Sequence, residues 1–74
     1  MSSDYHINVF FSSDDRGYIA DIPDLKYCSA FGKTPQTALR EVLKAKLAWL
    51  RSAKRAKVRI PKPRYRPAIY AAAS

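Results

Sequence analysis

Few side chains in this 74-residue chain are equipped for covalent or acid–base chemistry. His6 is the only histidine and Cys28 the only cysteine. A histidine base needs a partner to orient its ring and a nearby group to deprotonate; the alternating pattern around His6 supplies neither, so it reads as a sheet-face histidine. Cys28, with no second histidine available to activate it, reads as a small buried apolar residue. Asp14-Asp15 and Asp21 with Asp24 are the remaining chemical candidates. Paired aspartates between strands serve turn geometry and solubility more often than metal binding. The two glycines, Gly17 and Gly32, stand alone, so no phosphate-cradling loop is present. No catalytic residue, no metal site and no cofactor are expected, and the chain is not expected to be an enzyme.

The stronger signal is basic. Arg51, Lys54, Arg55, Lys57, Arg59, Lys62, Arg64 and Arg66 fall within sixteen residues, with Tyr65 among them and Tyr70 beyond. Cations clustered with aromatic residues suit an anionic partner or single-stranded nucleic acid. Lys54, Arg55 and Lys57 are also what the negative pole of a helix end attracts, but that effect does not extend to Arg66. Arg55, Lys57, Arg59, Lys62, Arg64, Tyr65 and Arg66 are therefore the candidate nucleic-acid or partner-binding residues. The net charge of +8 is unevenly placed. Residues 1–39 hold three basic residues against five acidic ones, a net −2; residues 40–74 hold eleven against one, a net +10.

The elements that position these groups follow from periodicity. Tyr5, Ile7, Val9 and Phe11 alternate with His6 and Asn8 as a strand does. Ser12–Gly17 is a polar hairpin connection, with Gly17 expected to take a positive φ. Tyr18–Ile22 is a second strand, stopped by Pro23-Asp24. Leu25–Phe31 is expected as a third, completing an antiparallel meander. Gly32 turns the chain out of it. Thr34 is a helix N-cap and Pro35 sits at the first helical position. From there to about Lys57 neither Gly nor Pro interrupts, and Ala38, Val42, Ala45, Trp49 and Ala53 form one apolar face. Lys46 falls inside that face and requires an acidic partner or a route to solvent. Val58–Ile60 has strand character, closed by Pro61; a strand reached through a helix is normally parallel to its sheet. Residues 64–74 are expected as a tail outside the core.

The expected fold class is thus α+β in the order β-β-β-α-β, with residues 1–63 as one domain and one long helix on the sheet. So small a domain buries only about 60% of its unfolded surface, which favours self-association, most simply a dimer. A single cysteine excludes an intrachain disulfide. No apolar run approaches the roughly 18 residues of a membrane span, and the polar start is no signal peptide. A cytoplasmic protein with no membrane partner is expected.

The chain resembles the HicB-type antitoxins. The pattern P-D-L-x-x-C-x-A-x-G-x-T is carried by Pro23-Asp24-Leu25, Cys28, Ala30, Gly32 and Thr34, preceded by Gly17-Tyr18 after an acidic loop. The helix pattern is carried by Ala38, Leu39, Val42, Ala45, Trp49 and Leu50, and the closing I-P-x-P by Ile60 to Pro63. Together these span about residues 5–63. The resemblance implies a truncated ribonuclease-H-like fold without nuclease activity. It also implies binding to a small mRNA-cleaving ribonuclease, HicA, whose active site such proteins block. Most of them carry a C-terminal DNA-binding domain; with eleven residues after Pro63 in this sequence, promoter binding through such a domain is not expected. This chain departs from the family pattern at Lys26-Tyr27, commonly Pro-Gly, and at Lys33, commonly Asp. The alternatives to an antitoxin are a nucleic-acid-binding protein using the basic helix end and tail, and an oligomeric interaction domain.

Overall fold

A computed structural model of the chain describes residues 4–65. Three antiparallel strands, β1 (Asn8–Ser12), β2 (Gly17–Asp21) and β3 (Ser29–Gly32), form one sheet in the order β1-β2-β3. One helix, α1 (Pro35–Arg55), packs on it. The α+β layout expected from periodicity is present.

Register explains what each strand presents. Val9 pairs with Ala20 and Phe11 with Tyr18, while Ala20 pairs with Ala30. Since Ala20 is fully buried beneath the helix, these residues share the helix-facing side. Phe10, Ile19 and Phe31 stand opposite one another on the outer side. The core is Ala20, Ile22, Leu25, Cys28, Ala38 and Val42, with Ile7, Tyr18, Trp49 and Leu50 packed around it. Burying Ile22, Leu25 and Val42 fully contributes about 1.5–3 kcal/mol each.

The helix starts where its residues direct. Thr34 is extended, at φ −129°, and its Oγ1 accepts the Thr37 amide at 3.1 Å. The Thr34 carbonyl accepts the Ala38 amide at 3.0 Å. At the other end the amides of Lys57 and Val58 donate to the carbonyls of Lys54 and Ala53. This is a Schellman closure with Lys57, at φ 58°, in the left-handed position usually given to glycine.

Three expectations need correction. The third strand begins at Ser29, not Leu25. Pro23–Tyr27 forms a compact loop closed by Ile22 N–H to the Cys28 carbonyl at 3.0 Å, which drives Leu25 into the core. Gly17 does not supply the positive φ of the hairpin; Arg16 does, at φ 55°. Gly17 is required for space instead, because a Cβ there would lie 2.5 Å from the Phe31 ring. The strand expected at Val58–Ile60 is not formed among the described residues. Leaving the helix through Lys57, the chain crosses below the start of β1, where the Tyr5 hydroxyl donates to the Pro61 carbonyl.

Candidate partner-binding surfaces

Segment 58–65 carries half of the basic candidates, Arg59, Lys62 and Arg64, and it is held in place by residues from the first third of the chain. The Asp24 carboxylate accepts the amide of Arg64 at 2.9 Å and that of Tyr65 at 3.0 Å. These two amides hold the Asp24 carboxyl below its ordinary range, the Tyr65 bond contributing most. The Tyr65 ring lies on His6, with centroids 4.7 Å apart. Beneath this segment is a concavity of about 570 Å³ lined by Asp24, Arg59, Ile60, Pro61, Lys62 and Arg64.

The candidate basic residues therefore divide. Arg59, Lys62 and Arg64 come together around one depression, with Tyr65 beside it. Arg55 ends the helix and Lys57 closes it; both are exposed and neither lines that depression. Arg66 lies outside the described residues. Of the structural candidates, Thr34 caps the helix, and Trp49 Nε1 donates to the Lys26 carbonyl at 2.9 Å, tying the 23–27 loop to α1. Pro61 meets Tyr5, and Pro23 opens the loop. A Cβ at Gly32 would collide with the backbone of Thr37 and Ala38, so β3 can hand over to the helix only through a glycine.

Some of the chemical candidates come near one another, but among the described residues no three of them gather as a metal site. His6 Nε2 lies 2.7 Å from Asn8 Oδ1, and Asn8 Nδ2 donates to Asp21 at 3.4 Å. Cys28 sits in the core, where burial pushes its thiol pKa up and disfavours the nucleophilic thiolate. Among the described residues, no three His, Cys, Asp or Glu side chains converge as metal ligands. Nor is any helix there long and apolar enough to cross a membrane.

Apolar surface was the feature least visible in the sequence. The helix lies over β3 and β2 and reaches β1 least. The helix-facing side of β1 is consequently uncovered, with Val9 38% and Phe11 58% exposed. Phe10, on the opposite side, is 49% exposed. The helix flank nearest β1 is marked by Lys46, whose Nζ reaches Asp4 Oδ1 at 3.1 Å. Leu39 and Leu43 lie on that flank and Leu47 one step further round, all three exposed. Alternation places Val9 and Phe11 on an apolar face, but whether a helix covers that face depends on the helix's lateral position, which local pattern does not carry. A second apolar depression, about 490 Å³, lies between Tyr27, Trp49 and Val58.

Comparison with protein-family models, with curated proteins and with solved structures finds no match to this chain.

Proposed function

We propose that the chain is a HicB-like antitoxin-type binding protein, without enzymatic activity of its own, that binds and neutralises a small mRNA-cleaving ribonuclease. The observation that carries this reading is the edge strand β1. Val9, Phe10 and Phe11 are three consecutive apolar residues, exposed on both faces of a strand that, among the described residues, has a neighbour on one side only. A hydrophobic edge of this kind recruits further strands unless something covers it. Exposed leucines on the adjoining helix flank extend the same surface beyond the strand. Such a surface suits a protein partner, which can add backbone hydrogen bonds along β1 and bury the side chains on either face.

The residues that carry the resemblance also have structural roles in this chain. Gly32 and Thr34 form the strand-to-helix turn, and Trp49 ties the helix to the loop after Pro23. The same reading includes a homodimer, for which the edge of β1 left open among the described residues is an available interface.

The test is co-expression with the adjacent reading frame, which is expected to encode a small ribonuclease, followed by co-purification. Relief of toxicity with a stable complex is the expected result. Unrelieved toxicity and no complex would remove the proposal.

A further inference from the structure

We propose that the depression formed by Arg59, Lys62 and Arg64 binds the phosphodiester backbone of single-stranded nucleic acid, with Tyr65 offering a ring on which a base stacks. The inference goes beyond the antitoxin reading and does not depend on it, because it uses a different surface from β1.

Four observations carry it. The first is convergence: three basic side chains, spread over six positions of chain, border one concavity of about 570 Å³. The second is that none of these cations forms an ion pair among the described residues, although the Arg64 charge acts on Asp24. Among the described residues the ion pairs are Lys44 with Glu41 and Lys46 with Asp4, and neither includes Arg59, Lys62 or Arg64. Asp24 lies at the same concavity, but its oxygens accept the main-chain amides of Arg64 and Tyr65. It fixes the backbone while the guanidinium of Arg64 stays exposed to solvent.

The third observation is preorganisation. Segment 61–65 has no regular secondary structure, yet it is tied by Tyr5 to Pro61, by Asp24 to Arg64 and Tyr65, and by His6 to Tyr65. A binding segment already held in place loses less conformational entropy when a ligand arrives. The fourth is the aromatic ring. Tyr65 is backed by His6 and is 43% exposed, so part of its surface remains available. Cations beside an exposed ring match the requirements of a flexible strand, whose phosphates and unpaired base faces are both accessible. A peptide would need a carboxylate placed at each cation and an apolar group at the ring, whereas a strand supplies a phosphate and a base face with every nucleotide.

The test is fluorescence anisotropy of the full chain with labelled twelve-nucleotide oligo(U) and oligo(dT), and with a twelve-base-pair DNA duplex, across a salt series. Neutralising three phosphates on a single strand predicts log K falling against log salt with a slope of about −2. Binding of either strand supports the proposal, and the ratio between them reports whether the sugar 2′-hydroxyl is read. Replacing the cations together, Arg59→Gln with Lys62→Gln and Arg64→Gln, is expected to weaken binding at low salt at least tenfold and to flatten the slope. Tyr65→Leu is expected to weaken binding several-fold with the slope unchanged. Should the triple variant melt early, Lys62→Glu alone replaces it; that exposed side chain makes none of the described hydrogen bonds, and the change is expected to cost several-fold in affinity. Three results would overturn the proposal: no salt-dependent binding to either strand, equal binding by the charge variants, or tighter binding to the duplex than to both single strands. A result of this kind leaves ribonuclease neutralisation through β1 untouched, so the two readings fail separately.

Discussion

The carboxylate of Asp24 accepts the main-chain amide of Tyr65 at 3.0 Å, joining residues forty-one positions apart. Arg64 donates to the same carboxylate at 2.9 Å. One side chain from the loop after β2 thus sets the path of the chain beyond the helix. It is also the reason that Arg59, Lys62 and Arg64 surround a depression instead of trailing into solvent.

This bond has a pH signature. Charge-assisted hydrogen bonds to the ionised form lower the carboxyl pKa of Asp24 from its ordinary value of 3.8. A carboxylate whose pKa is depressed on folding stabilises the fold above its unfolded value, and that stabilisation is lost as pH falls through the folded one. Carboxyl chemical shifts should therefore show Asp24 titrating below 3.8, with the Arg64 and Tyr65 amides shifting along the same curve. Titration at the ordinary value, or amides that ignore it, would contradict the anchoring.

Lys57 occupies a left-handed conformation at φ 58°, where a side chain is strained and glycine is not. Lys57→Gly is expected to stabilise the protein by about 0.5–1 kcal/mol, read from urea or thermal unfolding. Destabilisation would show that the Schellman closure does not form.

The two glycines should respond differently to alanine. At Gly17 the new methyl meets the far end of the Phe31 side chain, which can swing aside, and the cost should be about 1 kcal/mol. At Gly32 it meets the backbone of Thr37 and Ala38, which cannot, and about 3 kcal/mol or outright unfolding is expected. Equal costs would place the junction of β3 and α1 wrongly.

Cys28 is 4% exposed, and burial raises its thiol pKa. A thiol reagent at neutral pH should label the native protein far more slowly than the urea-unfolded chain, at a rate following global or local opening. Prompt labelling of the folded protein would mean that the loop over Leu25 and Cys28 is open.

Much of this architecture is legible in the residues, for reasons that are local. Thr34-Pro35 marks a helix start because capping needs only the next three residues. Alternation from Tyr5 to Phe11 and from Tyr18 to Ile22 marks strands because side chains of a strand point alternately, and strands form there over Asn8–Ser12 and Gly17–Asp21, without Tyr5 to Ile7. Lys46 visibly needed a partner, though nothing near it in the sequence names Asp4, forty-two residues away. Local pattern failed where distant contacts decide. Val58 and Ile60 are β-branched, but among the described residues that stretch pairs with no strand, and the chain just beyond it is tied by Tyr5 at Pro61 and by Asp24 at Arg64. Leu25 reads as a strand residue by its neighbours and becomes the buried tip of a loop because Pro23 cannot continue the ladder. Lys57 ends the helix without glycine, so the basic last turn marks the end in the sequence while the left-handed residue itself does not stand out. Of the candidate surface, the cations were legible as a run and their convergence was not. The uncovered side of β1 was hidden for the same reason, since a helix's lateral placement is a tertiary fact.

The central claim, that an apolar edge strand makes this chain a neutraliser of a ribonuclease, is tested most directly by expressing the adjacent reading frame, which is expected to encode a small ribonuclease, and titrating the purified protein into an RNA-cleavage assay of that product. The wild type should abolish cleavage near stoichiometric amounts, and Val9→Lys with Phe11→Lys, both exposed positions, should weaken that inhibition at least tenfold while melting within a few degrees of wild type. Cleavage that continues unchanged at an excess of wild-type protein, or inhibition indifferent to the two lysines, would contradict it.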